Sequence, residues 1–421
     1  TARRRRKEGR LTVAVDISSF WEPLTGIGWY LYRLLENLAD HEDVLLRLYG
    51  PTLLRGEGDP EPVVSLPRGR AIEEVAYEVP EGLSLPTGWV RRALRKARPL
   101  LVAADGNRVV FAPNYLVPGT FRLCRGALVA TVHDLGYLKV PETLQEETLD
   151  QLRRGMKRTF RQVRQVVTPS HAVAREIVEA GLAPAERVTA VHHGPGQLVQ
   201  TSPGQISQEV PRPFALFVGT VEPRKNLPVV LEAWHRLREA GRPIPPLVVC
   251  GKLGWKSELI ASELDAARGQ GWLHHLGYVG NPTLKALYRE AWVVVFPSLY
   301  EGFGLPAVEA QEAGAPLLCS DIPVFREVVG EAALFASPQA PQAWCEQLCR
   351  LLDNPELSRE LAARGQESVA RLSWQRAAAE TLQVWQKAAG LGGRDPLTHG
   401  FVEDGGCSRG DVEGSDAAPH G

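Results

Sequence analysis

The stretch PSLYEGFGLPAVEAQEAG, from Pro297 to Gly314, combines a glycine loop, a proline and two glutamates. The apolar run AWVVVF precedes it and is typical of a buried parallel strand. The Gly-Phe-Gly core permits a tight turn, because glycine tolerates positive φ and the close approach of a ligand. Pro306 suits the first turn of a helix and Gly314 suits its C-terminal end. The stretch therefore predicts a strand, a ligand-approaching loop and a helix.

Short apolar runs of this kind alternate with helical patterns in both halves of the chain. LTVAVDI (11–17) opens the first series and FALFVGT (214–220) opens the second. Alternation of strands and helices is typical of a parallel sheet covered by helices on both faces. The expected fold class is therefore α/β, with two doubly wound, Rossmann-like domains that face each other across a cleft.

Composition changes along the chain suggest where these domains begin and end. The segment 194–213 is rich in Gly, Pro, Gln and Ser and indicates a linker, and the residues beyond 393 are polar and glycine-rich. A helix over 373–390 is expected to pack back on the first domain. The predicted division is a basic N-terminal extension (1–10), a first domain (11–195), a linker (196–212), a second domain (213–372) and a disordered tail (393–421).

The composition is that of a globular protein, with 44% apolar and 23% charged residues in 421. Apolar runs stay shorter than a membrane span, and no secretory signal pattern is visible. The six cysteines lack metal-ligand spacing, so reduced thiols and a cytoplasmic location are expected. Lys and Arg exceed Asp and Glu up to residue 195 and are outnumbered after it, so the first half is the better partner for an anion.

The segment FVGTVEPRKNL (217–227) places Arg224 and Lys225 directly after the first strand of the second domain. Adjacent cations at a strand-to-helix junction suit a diphosphate, although alone they would fit a solvated surface pair better. The glycine loop at 301–304 favours the phosphate interpretation. Neither first strand is followed by G-x-G-x-x-G, and the chain contains no Walker loop or zinc signature, which disfavours a dinucleotide dehydrogenase and a P-loop kinase.

The segment from Pro297 to Phe335 resembles the signature region of the retaining glycosyltransferases of family 4, which have the GT-B fold. GTVEPRKNL, GKLGW (251–255) and SWQRAAAETL (373–382) are similar to further blocks of that family. LTGIGWYLYRLLENL (24–38) and TVHDLGYLKVPET (131–143) resemble its acceptor-side half. Six motifs in the expected order extend the likeness over roughly residues 11–387.

The resemblance implies a role for each matching residue. Glu301 and His133 would be catalytic, with Glu301 on the donor sugar and His133 near it, and Asp134 would support the loop of His133. Arg224 and Lys225 would hold the diphosphate in place of a metal, and Glu309 would accept hydrogen bonds from the ribose. The backbone of Phe303, Gly304 and Leu305 would face the sugar and diphosphate, and a loop at Gly26 and Gly28 would close over them from the first domain. Neither a metal nor a cofactor is implied.

The expected function is that of a metal-independent, retaining glycosyltransferase. It would move a hexose, with mannose weakly preferred, from a nucleotide-sugar donor such as GDP-mannose to a glycan or lipid-linked acceptor in polysaccharide or glycoconjugate assembly. Trp29 and the Gly-Thr pair at 219–220 depart from the common family pattern and leave the substrate open. The alternatives are a GT-B nucleotide-sugar epimerase and a catalytically silent nucleotide-sugar-binding protein. No nucleic-acid partner is expected.

The segment LDQLRRGMKRTFRQVRQ (149–165) predicts an amphipathic helix with an apolar stripe and a basic face, and RRALRKAR (91–98) adds a second cationic segment. The stripe is expected to pack on the first domain's sheet. Two interpretations of the basic face remain open. It is either a solvated surface or a peripheral contact with anionic lipid headgroups, on the cytoplasmic side of a membrane, that brings the enzyme to a lipid-linked acceptor.

Overall fold

The computed structural model describes residues 9–24, 26–51, 54–55, 61–75, 77–78, 99–100, 102–121, 123–196 and 201–391. Residues 1–8 of the expected N-terminal extension, the cationic segment 91–98, linker residues 197–200 and the expected tail 393–421 lie outside the described residues.

The first domain is built on a seven-stranded parallel sheet of order β4-β2-β1-β6-β7-β8-β9. A short parallel pair, β3 with β5, lies outside that sheet. The strands are β1 (Leu11–Asp16), β2 (Val44–Tyr49), β3 (Leu54–Arg55), β4 (Ile72–Glu74), β5 (Tyr77–Glu78), β6 (Val109–Ala112), β7 (Ala127–Thr131), β8 (Gln165–Thr168) and β9 (Val188–Ala190).

The second domain is built on a six-stranded parallel sheet of order β12-β11-β10-β13-β14-β15. Its strands are β10 (Ala215–Val218), β11 (Leu247–Cys250), β12 (Leu273–Gly277), β13 (Val293–Phe296), β14 (Leu317–Ser320) and β15 (Ala333–Ala336). The strand order reverses between β10 and β13, so the carboxyl ends of these two neighbours border the crevice where ligands bind in open α/β sheets. The two parallel sheets confirm the predicted fold class.

Helices connect the strands and cover both sheets. They are α1 (Gly26–Leu38), α2 (Gly136–Lys139), α3 (Glu146–Gln162), α4 (His171–Glu179), α5 (Leu227–Glu239), α6 (Glu258–Gly269), α7 (Asn281–Glu290), α8 (Leu305–Glu312), α9 (Pro323–Val328), α10 (Pro341–Asp353), α11 (Pro355–Val369) and α12 (Trp374–Ala388). Within the described ranges, no helix has both the length and the apolar composition needed to cross a bilayer.

Buried side chains form a separate apolar layer on each face of each sheet. In the second domain, Trp234 and Trp344 lie on one face, and Phe217 of β10 packs with them. In the first domain, α1 and the C-terminal helix α12 share one layer, in which the ring centroids of Trp385 and Phe111 lie 5.0 Å apart. The last helix within the described residues thus packs on the first domain, and the polypeptide passes between the two domains a second time.

Candidate active site

The glycine loop and helix α8 lie at the carboxyl end of β13. Pro297 directly follows the strand, and Gly304 takes the left-handed backbone conformation at φ 85° that starts α8. Pro306 occupies the first turn of α8, where its missing N–H costs nothing. Gly314 follows the helix at φ 81°, a conformation that glycine adopts without strain. The local structure is therefore the predicted strand, glycine loop and helix.

This loop docks against the carboxyl ends of β7 and β8 in the first domain. A Cβ on Gly302 would lie 1.8 Å from the carbonyl oxygen of His133, so only glycine permits the two backbones to approach this closely. The Oγ of Ser170 donates to the carbonyl of Gly302 at 2.8 Å. Tyr300 accepts a hydrogen bond from the N–H of Leu135 at 2.9 Å and donates to Glu176 at 2.7 Å. The carboxyl edges of the two sheets therefore face each other across this loop.

Two cations from the end of β10 converge on Glu301 of the loop. The Nζ of Lys225 lies 2.5 Å from Glu301 Oε1, and a guanidinium nitrogen of Arg224 lies 3.0 Å from Oε2. Ser298 Oγ also donates to Oε1, at 2.8 Å. The other terminal nitrogen of Arg224 lies 2.8 Å from Glu222, whose side chain is 2% exposed. The cluster is desolvated, and each carboxylate in it has a cationic partner.

Two opposing effects set the pKa of Glu301 and of Glu222: burial raises it, and the neighbouring cations lower it. For Glu301, Lys225 and Arg224 outweigh burial and lower the pKa to about 2. For Glu222, burial outweighs the attraction of Arg224 and Lys225, and the pKa is raised above its ordinary value. Glu301 is thus a fixed anion at neutral pH. Arg224 is a fixed cation whose pKa is raised by both carboxylates against the opposing effect of burial.

Three residues of this region escaped the sequence analysis: Glu222, Ser298 and Tyr300. The pattern Glu-Pro-Arg-Lys at 222–225 carried a signal for the first, because a carboxylate two positions before an arginine can pair with it. Ser298 and Tyr300 lie inside the quoted stretch, but their partners come from other elements. A single sequence carries no signal that pairs Tyr300 with Glu176, 124 positions away.

His133 lies just beyond β7 and is held in one orientation. Its Nε2 lies 2.8 Å from the carbonyl oxygen of Pro113, which can only accept, so Nε2 carries the proton and Nδ1 is an acceptor. Burial lowers the pKa of His133, against smaller opposing effects of Pro113 and Asp134. Asp134 accepts a hydrogen bond from the N–H of Gly136 at 2.9 Å and so orders the turn that follows. The imidazole is therefore neutral at neutral pH.

His193 lies between His133 and the glycine loop. Its ring stacks between Tyr30 and Trp374 at centroid distances of 4.7 and 5.5 Å, and it contacts Phe303 at 4.8 Å. The side chain is 4% exposed, and its Nδ1 has no hydrogen-bond partner. Burial, followed by the neighbouring histidines, lowers the pKa of His193 well below its ordinary value. A neutral aromatic column thus connects helices α1 and α12 to Phe303.

Gly26 and Gly28 lie in the first turn of α1, and the loop expected at this position is wrong for the described residues. Tyr30, Leu31 and Leu34 lie on the buried, apolar face of α1. The helix that this face stabilises begins at Gly26, so both glycines belong to it. A Cβ on Gly28 would lie 2.7 Å from the side chain of Leu24, whereas Gly26 faces open space. Tyr30 connects this turn to the site, because its ring lies 5.0 Å from that of His133.

Helix α8 and the loop that leads into it carry the remaining predicted donor-site residues. Phe303 is buried, and Leu305 is the first residue of the helix, where N–H groups lack partners within the helix. Glu309 lies one turn further along, beside the chain that leaves the first domain. A Cβ on Gly196 would lie 2.0 Å from a carboxylate oxygen of Glu309, so glycine is required there. The structure thus places Glu309 at the crossing between the domains.

Comparison with protein-family models agrees with this architecture. Residues 24–194 match the family described as Glycosyltransferase Family 4, and residues 200–368 match the one described as Glycosyl transferases group 1. The chain belongs to the GT-B glycosyltransferases. This finding confirms the resemblance drawn from the sequence motifs and the expectation that the protein is an enzyme.

Two relatives and one solved structure illustrate the placement of this GT-B glycosyltransferase. The chain is 27% identical over 373 residues to O-antigen chain mannosyltransferase B of Escherichia coli, covering 86% of this chain and 96% of the relative. It is 32% identical over 237 residues to the MMP alpha-(1->4)-mannosyltransferase of Mycolicibacterium hassiacum, covering 55% and 56%. Sucrose-phosphate synthase of Thermosynechococcus elongatus shares the fold, with a TM-score of 0.69, 20% identity and coverage of 90% and 99%.

Proposed function

We propose that this GT-B glycosyltransferase is a metal-independent, retaining mannosyltransferase that takes mannose from a nucleoside-diphosphate donor, GDP-mannose being the first candidate. The observation that carries the proposal is the cluster of Arg224, Lys225 and Glu301 at the carboxyl ends of β10 and β13. It places two fixed positive charges and one fixed negative charge beside a glycine loop that opens a helix.

The diphosphate is assigned to the two cations of this cluster, Arg224 and Lys225. A departing nucleoside diphosphate gains negative charge in the transition state, and cations fixed beforehand stabilise that charge without reorganising. Lys225 has a 14% exposed side chain and Arg224 a 23% exposed one, so water screens both weakly. The backbone N–H groups of Gly304 and Leu305, at the N-terminus of α8, add the positive end of a helix dipole. Together they supply the charge that a divalent cation supplies in other transferases.

The sugar is assigned to Glu301 and His133. Glycosyl transfer passes through an oxocarbenium-like state with positive charge on the ring, which an ionised carboxylate stabilises. With a pKa of about 2, Glu301 stays ionised throughout the physiological range. His133 offers an unprotonated Nδ1, since Nε2 donates to Pro113, and so accepts from a hydroxyl group rather than protonating a leaving group. Asp134 keeps that histidine in place through the turn at Gly136.

The nucleoside is assigned to the middle of helix α8. Glu309 lies one turn beyond the start of the helix and has its carboxylate at the passage between domains. A carboxylate accepts from two neighbouring hydroxyls at once, which suits the 2′ and 3′ hydroxyls of a ribose. Gly26 and Gly28 at the start of α1 would then cover the phosphates from the first domain, because the ring of Tyr30, in the next turn, contacts His133.

Mannose as the sugar rests on the relatives. O-antigen chain mannosyltransferase B and the MMP alpha-(1->4)-mannosyltransferase both carry mannose transfer in their names, and the first matches nearly the full length of this chain. The proposed acceptor is a glycan, free or lipid-linked, in polysaccharide assembly, which the O-antigen relative supports. The free thiols of Cys345 and Cys349, one helical turn apart in α10, support a reducing, cytoplasmic compartment.

A thermal-shift panel tests the donor. GDP, UDP and ADP, each alone and as mannose and glucose conjugates, are added to the wild type and to Lys225→Met. A ligand at 100 times its Kd adds about 2.7 kcal/mol to the free energy of unfolding. GDP-mannose is expected to raise the wild-type thermal midpoint most, because the proposed donor should have the lowest Kd of the panel. Lys225→Met should lose the response to all diphosphates, while Arg359→Met, a change at an exposed surface pair, should keep it. A larger shift with a UDP or ADP conjugate would refute GDP-mannose as donor.

The stereochemical outcome needs its own measurement. Proton NMR of the first product formed from GDP-mannose reports the anomeric configuration before any mutarotation of a freed sugar. An α-linked product from the α-configured donor supports retention. A β-linked product would overturn the retaining mechanism, and free mannose without acceptor-linked product would favour a hydrolase or epimerase.

We also propose that helix α3 contacts anionic lipid. Met156 and Phe160 are buried against the first domain, and the opposite side carries exposed cations. These are Arg153, Arg154, Lys157, Arg158 and Arg161, with Arg164 just beyond the helix. Each cation near an anionic bilayer surface contributes about 1 kcal/mol, so a cluster of this size is enough for measurable peripheral binding at low salt. Such contact would bring the first domain to a lipid-linked acceptor.

Vesicle co-sedimentation tests this surface. The wild type is expected to bind vesicles of phosphatidylglycerol and phosphatidylcholine in low salt, and the triple change of Arg154, Lys157 and Arg161 to Glu should abolish binding without altering donor affinity. A control with Arg236, Arg268 and Arg359 changed to Glu alters the net charge equally on the second domain. Equal loss in both triple variants, or no binding by the wild type, would leave α3 as a solvated face.

A further inference from the structure

Three side chains with metal-binding groups meet where the two domains touch, and none of them belongs to the Arg224–Lys225–Glu301 cluster. His171 is the first residue of α4, His192 follows β9, and Glu327 belongs to α9 of the second domain. Their ligand atoms all lie within 4.8 Å of one another, and His192 Nε2 lies 2.7 Å from Glu327 Oε1. The rings of His171 and His192 are 5.5 Å apart.

We propose that His171, His192 and Glu327 form a site for a divalent transition ion of the Zn²⁺ class that ties the two domains together. Two imidazoles and one carboxylate are a common protein ligand set for Zn²⁺, with a fourth position left to water. Imidazole nitrogen also favours Ni²⁺ and Cu²⁺ over Mg²⁺ and Ca²⁺, which prefer oxygen ligands. The site shares no residue with the proposed donor site, and the inference does not rest on the proposed mannosyl transfer.

Small adjustments convert the observed geometry into a coordination shell. Ligand atoms about 2.0–2.1 Å from a tetrahedral Zn²⁺ lie roughly 3.3 Å from one another. The pair of His192 and Glu327, at 2.7 Å, must open slightly, and the widest separation in the group, within 4.8 Å, must close by about 1.5 Å. His171 is exposed, so its ring can rotate to make this change without disturbing packed neighbours.

The carboxylate is already oriented by contacts outside the proposed coordination shell. The backbone N–H groups of His171 and Ala172 donate to the two oxygens of Glu327 at 2.6 and 2.8 Å. Outer hydrogen bonds of this kind orient metal ligands in proteins. They also anchor Glu327 of the second domain to the start of α4 in the first, so an ion bound here would reinforce an existing contact between the domains.

Two cavities beside the site show which side chains and how much space surround a bound ion. Cavities of about 440 and 880 Å³ border it, the first lined by His171 and His192 and the second by His171 and Glu327. Both give room for a water ligand and for entry. Arg175 and Arg326 line the second cavity, and Arg326 is paired with Asp321 at 2.7 Å. The arginines act alike on every divalent cation, so the preference for a transition ion comes from the two imidazole ligands.

Zinc titration of the full chain, freed of metal with chelator and without an affinity tag, tests the proposal. Calorimetry should find one Zn²⁺ per chain, with affinity at least tenfold weaker in His171→Ala, His192→Ala and Glu327→Gln. His235→Ala is the matched control, because His235 lies 3.2 Å from Glu239 on the surface of α5, in a pair without a third ligand. Zn²⁺ should also raise the thermal midpoint of the wild type.

His171→Ala is the decisive variant. It removes only an exposed ring and keeps the backbone N–H that donates a hydrogen bond to Glu327, so the fold and the contact between the domains remain. Loss of both Zn²⁺ binding and the thermal shift in this variant supports the site. Wild-type affinity in His171→Ala, an equal loss in His235→Ala, or no stoichiometric binding by the wild type would each overturn it.

Discussion

Replacing Glu301 by Gln removes one negative charge from the most buried ionic cluster of the candidate site. Burial opposes ionisation of Glu301, but Lys225 and Arg224 outweigh it and lower the pKa from 4.5 to about 2. Each unit of pKa depression contributes about 1.4 kcal/mol to folding at a pH above both values, so the charge contributes about 3 kcal/mol at pH 7. The side chain is 11% exposed, so solvent screening reduces this value little.

The sign of the pH dependence follows from the depressed pKa of Glu301. Its stabilising effect is fully present above the unfolded pKa of 4.5, falls to about half near pH 3 and vanishes below the folded pKa of about 2. Urea unfolding at pH 7, 5 and 3, followed by tryptophan fluorescence, should therefore show a wild-type advantage of about 3 kcal/mol at pH 7 and 5 that shrinks at pH 3.

Glu331→Gln, a change of an exposed carboxylate, is the control and should stay within about 0.5 kcal/mol of the wild type at each pH. A difference below about 1 kcal/mol for Glu301→Gln at pH 7, or one that does not change between pH 5 and pH 3, would refute the charge-based account.

Four further predictions concern the site. Lys225→Ala should lower kcat by at least about 100-fold with the circular dichroism spectrum unchanged; a near-normal rate would move the diphosphate elsewhere. Donor turnover should survive EDTA, because Arg224 and Lys225 supply the charge; activity that disappears and returns with Mn²⁺ would contradict this. Glu309→Ala should weaken free nucleoside diphosphate by about 10- to 100-fold in calorimetry, whereas Glu301→Ala should spare it; equal weakening would mean that the two roles are misassigned. Gly302→Ala should lower the thermal midpoint, since its Cβ would lie 1.8 Å from the carbonyl oxygen of His133; an unchanged midpoint would show that this approach is dispensable.

Local patterns were sufficient to predict the fold. The apolar run of β13 is buried along its whole length and that of β10 over its first three residues, and proline and glycine mark the ends of α8, so each element carries its own signal. The same reasoning failed at Gly26 and Gly28. Two glycines in a short motif suggest a loop, but the buried apolar residues of the following turns extend α1 back over them. Burial of a helix face outweighed the low helix propensity of glycine.

The sequence predicted candidate site residues, several of which the structure brings together, but it did not predict the contacts between them. Arg224 and Glu301 are 77 positions apart and meet because β10 and β13 are neighbours in the sheet, an order that no local pattern specifies. The sequence motifs predicted that the cations bind a diphosphate and that the glutamate binds a sugar. No sequence pattern indicated that the cations and the glutamate contact each other. The same limit applies to His192 and Glu327, 135 positions apart and in different domains.

The division of the site between the domains implies an order of assembly. Arg224, Lys225 and Glu301 all belong to the second domain, and their mutual contacts do not depend on the first. His133 belongs to the first domain and reaches the glycine loop only because Gly302 lets the two backbones touch. Separation of the domains would therefore leave the proposed diphosphate site assembled and withdraw His133. In the proposed mechanism, a donor would bind to the charged cluster before the domains close, and closure would then add the histidine and exclude water from the reacting sugar.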